Sequence, residues 1–224
     1  IVDEFVYHEM ITTVGLNTHP NPRRVLIIGG GDGGTLREVV KHPKVEKATM
    51  VEIDARVVEA SKLYLPEISS ALHGNPRAEV LIEDGIRYVK ENKNTFDMII
   101  VDSTEPVVPA VGLFSAEFYQ SIFEALKDDG LFVAQTESPF FNADLIRRVY
   151  RDIASLYPIA KLFLAYVPTY PSGMWSFTMG SKKYDPEDIV EENCPDLKSR
   201  YYTPAVHKAA FKLPQFVQNL VKTD

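Results

Sequence analysis

From residue 25 onward, short and almost wholly apolar runs alternate with longer stretches whose apolar positions recur at helical spacing. The short runs predict strands at 25–28, 48–53, 79–83, 98–102, 131–135, 161–167 and 176–181. The longer stretches predict helices at 35–41, 55–64, 86–92, 116–126, 144–156 and 186–192. Strands that are apolar on both faces and separated by helices imply a mostly parallel sheet covered on each side. The last two strands are joined only by the turn-rich stretch 168–173, too short for a crossover, so they are expected to be antiparallel. Asp128-Asp129-Gly130 reads as a turn leading into the fifth strand. The tail from Tyr201 carries helical pieces near 204–211 and 214–221. No linker or repeat divides residues 23–224, which read as one domain. Residues 1–22 are expected to be a docking segment or the remnant of an N-terminal subdomain.

Composition narrows the classes. The chain has 224 residues, 45% hydrophobic and 25% charged, with a net charge of −7. That acidic balance argues against general affinity for nucleic acid or an anionic membrane, and no apolar run approaches bilayer length. One cysteine, Cys194, allows no disulfide within the chain and points weakly to a reducing, cytoplasmic setting. The five histidines show no metal-ligand spacing, and neither H-E-x-x-H nor C-x-x-C is present, so no metal site is expected. No G-x-S-x-G elbow supports a serine hydrolase.

The chemistry is concentrated after the first strand. Five of the 12 glycines lie between positions 29 and 34, and Gly29, Gly31 and Gly34 fit G-x-G-x-x-G. Between a strand and a helix, that spacing is the glycine loop of a Rossmann-type nucleoside site, where the backbone approaches the ligand closely. Glu52, ending the second strand, is placed to accept hydrogen bonds from ribose hydroxyls. Asp32 lies inside the loop. It would repel a pyrophosphate and attract a cation, which tilts the ligand from a dinucleotide toward a sulfonium nucleoside of the S-adenosylmethionine type; the competing role is a cap on the next helix. Asp84-Gly85 follows the third strand, where the carboxylate can accept from an adenine amino group, cap a helix, or do both. The fourth strand ends in Asp102-Ser103-Thr104-Glu105, two carboxylates where open α/β sheets bind ligands. The segment 107–114 reads as a lid. Gln135, Tyr170 and Tyr7-His8-Glu9 are further polar candidates.

Six segments in order, DEFVYHEM (3–10), VLIIGGGDGGTLREV (25–39), MVEID (50–54), EDG (83–85), VDSTEP (101–106) and PTYPSG (168–173), resemble the spermidine synthase family of polyamine aminopropyltransferases. The resemblance spans essentially the whole chain. It implies a class I methyltransferase-like fold, preceded in the family by a small β-rich domain of which residues 1–22 would be the remnant. It implies transfer of the aminopropyl group of decarboxylated S-adenosylmethionine to putrescine, yielding spermidine and methylthioadenosine. The donor is a co-substrate and no further cofactor is implied; the assembly would be a homodimer or homotetramer.

Carried over by matching motif, Glu52 would hold the ribose, Asp84 and Gly85 would meet the adenine, and Pro109 would line its pocket. Asp32 would bind the amine of the aminopropyl group, His8 would lie near the polyamine, and Asp102 would accept the proton of the attacking amine. Tyr7, Ser103, Thr104, Glu105, Gln135 and Tyr170 would shape the diamine channel. Two departures stand out: many members have aspartate where this chain has Glu105, and most of the β-rich domain, including a donor-binding glutamine, has no counterpart here. A methyltransferase acting on ordinary S-adenosylmethionine is the rival reading; that nucleoside carries a carboxylate which Asp32 should repel. Agmatine, cadaverine or spermidine are rival acceptors.

Overall fold

The computed structural model describes residues 2–103 and 110–222. Its centre is a seven-stranded sheet of β1 (Arg24–Gly29), β2 (Lys47–Glu52), β3 (Ala78–Ile82), β4 (Phe96–Asp102), β5 (Leu126–Gln135), β6 (Ile159–Tyr166) and β7 (Met174–Ser181). The strand order is β3-β2-β1-β4-β5-β7-β6, with β7 antiparallel to both of its neighbours and the other pairings parallel. This is the mixed α/β sheet that the alternating runs predict, with the last strand inserted antiparallel.

Two cores follow from the pleat, because successive side chains of a strand point to opposite faces. Val25 and Ile27 of β1 face one side, where they meet helix α1 (Glu4–Thr18), helix α2 (Gly34–Lys41) and Val58 of helix α3 (Ala55–Tyr64). Leu26 and Ile28 face the other, against helices α4 (Gly85–Glu91), α5 (Ala116–Ala125) and α6 (Ala143–Leu156). Helices α7 (Pro204–Ala210) and α8 (Gln215–Gln218) close the C-terminal side, with Val217 and Leu220 packed on Ile146 and Leu162. No helix among the described residues is long and apolar enough to cross a membrane.

Two expectations are corrected, and one segment has a structure its sequence pattern does not show. The opening segment 1–22, expected to be a docking segment or the remnant of an N-terminal subdomain, contains the 15-residue helix α1, whose apolar side chains Met10, Ile11, Val14 and Leu16 belong to the central core. Gly15 brings this helix so close to the sheet that a Cβ there would collide with Met98. A helix buried on nearly every side lacks the one-sided stripe that marks a surface helix, so periodicity gave no signal. Asp128-Asp129-Gly130 is not a turn before β5 but part of that strand; the pairing jumps from Phe96↔Leu126 to Met98↔Leu131, and the extra residues are taken up in the irregularity. The stretch 186–192 is two separate 3₁₀ turns, Pro186–Asp188 and Glu191–Asn193, with Ile189 and Val190 extended between them. Proline and the Asp185 cap start a turn, but the stretch carries no continuous apolar face to extend it.

Candidate active site

The site lies at the C-terminal ends of β1 to β4. Because those strands are neighbours in the order β3-β2-β1-β4, the acids that follow them stand in the row Asp84, Glu52, Asp32, Asp102. At about 4.8 Å between strands, the four positions span roughly 14 Å, the scale of a nucleoside with an extended side arm. They line a cavity of about 400 Å³, within the range of small-molecule sites.

Glycine is required where the loop crosses the end of β4. Gly29 has φ +82°, and a Cβ there would run into the Asp102 carbonyl oxygen. The neighbouring Gly30 N–H donates to that same oxygen at 2.9 Å, tying the loop to β4. A Cβ on Gly31 would meet Glu52 Oε2 at 2.8 Å, so this glycine keeps the space beside the β2 carboxylate open.

The cleft has two chemically distinct ends. One has apolar walls from Ile28, Val51, Ile53, Val57, Ile86 and Leu113, with Glu52 and Asp84 at its edge. Glu52 Oε1 accepts the Asp54 N–H at 3.0 Å, which orients the carboxylate. Asp84 caps α4, Oδ1 accepting the Ile86 N–H at 2.8 Å, and still borders the cavity. The other end is formed by Tyr7, His8, Asp32, Asp102, Ser103 and Tyr170. Asp3 anchors the stretch before Tyr170 by accepting the Thr169 N–H at 2.8 Å, and Tyr170 packs edge-on to Trp175 with ring centroids 4.5 Å apart.

Asp102 is held on both oxygens. The Tyr7 hydroxyl donates to Oδ1 and the Thr35 hydroxyl to Oδ2, each at 2.6 Å. Burial and the nearby negative charge of Asp32 raise the Asp102 pKa, against the opposing pull of His8 and the two hydroxyls. An ionised carboxylate has about four acceptor positions, so two remain for a ligand.

Asp32 borders the cavity and has a separate partner on each oxygen. Oδ1 accepts the Gly34 N–H at 2.9 Å at the start of α2, while Oδ2 faces His8 Nε2 at 3.3 Å. Burial works against its charge, but the hydrogen bond and charge of His8 hold its pKa below the usual value. His8 is buried, and its Nδ1 lies 2.6 Å from Glu4 Oε2. Burial opposes an imidazolium there, yet Asp32 and Glu4 together push its pKa up to about 10. Glu4 is paired in turn with Arg37 Nη2 at 2.9 Å; burial raises its pKa, and His8 and Arg37 outweigh that and bring it down to about 2.

Of the residues expected at the site, Tyr7, His8, Gly29, Gly31, Asp32, Glu52, Asp84, Gly85, Asp102, Ser103 and Tyr170 line this one cavity. Gln135 does not. It is buried behind the site, its amide donating to the Ser103 carbonyl at 3.0 Å, so it supports the chain after β4. Thr104, Glu105 and Pro109, and with them the first three residues, 107–109, of the expected lid, lie outside the described residues. Thr35, Glu4 and Arg37 were not singled out in the sequence. Glu4 stands four residues before His8, a signal that becomes readable only once this segment is known to be helical. Among the described residues no group of three or more His, Cys, Asp or Glu side chains is placed to hold a metal ion.

Residues 4–191 match the spermine/spermidine synthase domain. The chain belongs to the spermine/spermidine synthase family. It is 65% identical over 217 residues to the polyamine aminopropyltransferase of Desulforudis audaxviator, covering 97% of this chain and 78% of that protein. It is 62% identical over 222 residues to that of Caldicellulosiruptor saccharolyticus, covering 99% of this chain and 80% of that protein. Among solved structures it resembles a spermidine synthase in complex with the transition-state analogue AdoDATO, with TM-score 0.94, 48% identity, and coverage of 98% of this chain and 76% of that one. It also resembles the Thermotoga maritima spermidine synthase, with TM-score 0.91, 47% identity, and coverage of 98% and 74%. As a member of the spermine/spermidine synthase family it is an enzyme, a polyamine aminopropyltransferase, and its sheet has the methyltransferase-like fold of its structural relatives.

Proposed function

We propose that the enzyme transfers the aminopropyl group of decarboxylated S-adenosylmethionine to putrescine by direct displacement, with Asp102 as proton acceptor. The adenosine lies in the apolar end of the cleft, its ribose on Glu52 and its adenine beside Asp84 and Gly85. The ammonium of the aminopropyl group pairs with Asp32. Putrescine approaches between Tyr7, Tyr170 and Asp102.

An alkyl ammonium has a pKa of roughly 10.4, like lysine, and cannot attack until it loses a proton. Asp102 accepts that proton and the neighbouring sulfonium charge makes the amine more acidic. The freed lone pair forms the new N–C bond, the C–S bond breaks, and its electron pair neutralises the sulfonium as methylthioadenosine. The proton passes from Asp102 to solvent.

One observation carries this reading. A half-buried carboxylate with a raised pKa, fixed on both oxygens, lies beside a second carboxylate in a cleft that also offers a nucleoside pocket. The test is Asp102→Asn. Turnover should fall by about 10²–10⁴-fold, the usual worth of a positioned base, with donor binding retained; unchanged turnover would remove Asp102 from this role. Assaying decarboxylated and ordinary S-adenosylmethionine side by side tests the donor, and efficient methyl transfer would overturn it. A ladder of diamines, agmatine and spermidine tests the acceptor, and a clear preference for any but putrescine would replace it. From the single cysteine we take the enzyme to be cytoplasmic, and from the family resemblance a homodimer or homotetramer; light scattering that gives a monomer mass would refute the assembly.

A further inference from the structure

A titratable ring stands against Asp32, where the proposed donor would place its ammonium. His8 lies between two carboxylates, with Nδ1 2.6 Å from Glu4 Oε2 and Nε2 3.3 Å from Asp32 Oδ2. Its ring is packed flush against the start of α2, where a Cβ on Gly34 would collide with it, so it has little room to turn away. Arg37, from α2, donates to both oxygens of Glu4, at 3.3 and 2.9 Å, and fixes that carboxylate against the ring. The groups facing the imidazole are Glu4 and Tyr7 from α1, Asp32 from the glycine loop, Asp102 from β4 and, through Glu4, Arg37.

Two cations on Asp32 at once would repel each other. We propose that Glu4 and Arg37 are positioning residues that hold His8 as an imidazolium placeholder on Asp32, and that the donor's ammonium takes its place by displacing the Nε2 proton. The bookkeeping of charge is simple: one ammonium enters, one proton leaves to solvent, and the bared Nε2 lone pair accepts an N–H from the incoming group. The Nδ1–H stays on Glu4, which keeps the neutral ring in the required tautomer. The pocket then never carries an unpaired Asp32 carboxylate. This inference rests on the reading of Asp32 as the ammonium site.

Donor binding should therefore release close to one proton per site near pH 8, and the donor Kd should tighten about tenfold per pH unit between about pH 7 and pH 9. Calorimetry of decarboxylated S-adenosylmethionine binding, repeated in buffers of contrasting ionisation enthalpy, reads the release directly. Methylthioadenosine has no ammonium group and should release none. In Glu4→Gln the release should fall away and the Kd should lose its pH slope, whereas a purely structural Glu4 would change stability and leave the stoichiometry alone. The wild-type comparison of the two nucleosides decides the matter even if the variant folds poorly. No release on donor binding, equal release with methylthioadenosine, or undiminished release in folded Glu4→Gln would each overturn the inference. Turnover measured in parallel separates the failures: an enzyme that transfers the aminopropyl group without proton release refutes the placeholder alone, and one that does not use this donor refutes the reading beneath it.

Discussion

Thr35 offers the sharpest test of how the site sets the basicity of Asp102. Its hydroxyl is fully buried and donates to Asp102 Oδ2 at 2.6 Å. Thr35→Val keeps the shape and removes the donor. Hydrogen bonds to charged groups are worth about 1.5–3 kcal/mol, and one pH unit corresponds to about 1.36 kcal/mol. Losing the bond disfavours the carboxylate relative to the acid, so the pKa of Asp102, already raised by burial and Asp32, rises further. The base must be ionised to act, so activity falls as pH drops through that pKa. The acid limb of kcat/KM should therefore move to higher pH by about one to two units in Thr35→Val, with activity at high pH much less affected. Thr35→Ser, which keeps the hydroxyl, should restore the limb. Initial rates across a pH series, with a thermal melt of each variant to confirm folding, make the comparison. An acid limb that stays in place in a folded Thr35→Val would refute the reasoning, either because the limb reports another group or because the Tyr7 bond alone sets Asp102.

Other outcomes follow from the same contacts. The His8 pKa of about 10 lies above its usual value near 6.5, so its contribution to stability is complete below about 6.5 and is lost as pH rises through about 10. The melting temperature of the unliganded protein should fall over that window, and His8→Gln should flatten the fall. Gly31→Ala places a Cβ against Glu52 and Val57, so donor KM should rise while the melting temperature changes little, as steady-state kinetics and a melt would show. Gly29→Ala combines φ +82° with a collision at the Asp102 carbonyl and should lower stability by about 1–3 kcal/mol in chemical denaturation. Thr203→Ala removes the side chain that caps α7 at Val206 N and should cost about 1 kcal/mol, or roughly 2–4 °C in a melt, with kinetics unchanged.

The legible parts of the fold are those whose signal is local. Ile27 and Ile28 alternate between two cores, and an apolar run of that kind ending in clustered glycines marks a buried strand before a ligand loop. The helix 55–64 was readable from its helical spacing, and the structure starts it at Asp54, whose side chain accepts the Arg56 N–H. Helix α1 was not readable, because Tyr7, His8, Glu9 and Thr12 are polar residues in a buried helix and each has a distant or backbone partner. Glu9, for one, accepts the backbone N–H groups of Arg200, Tyr201 and Tyr202, nearly two hundred residues along the chain. Gln135, the last residue of β5, was expected in the channel from the family resemblance, yet its amide is turned to the Ser103 carbonyl, a choice made by what packs around it.

By itself the sequence determined that this is an α/β chain with a glycine loop and carboxylates at the ends of its first four strands, since strand period, glycine spacing and turn chemistry are properties of neighbouring residues. Only the tertiary structure decided that those strand ends stand side by side as β3-β2-β1-β4, because hydrogen-bond pairing between strands is not encoded at any one position. It also decided that Asp102 is held by Tyr7 from α1 and Thr35 from α2, and that Asp32 faces a histidine braced by Glu4 and Arg37. The basicity of one carboxylate and the charge of the other depend on burial and on partners from remote segments, and those exist only once the chain has folded.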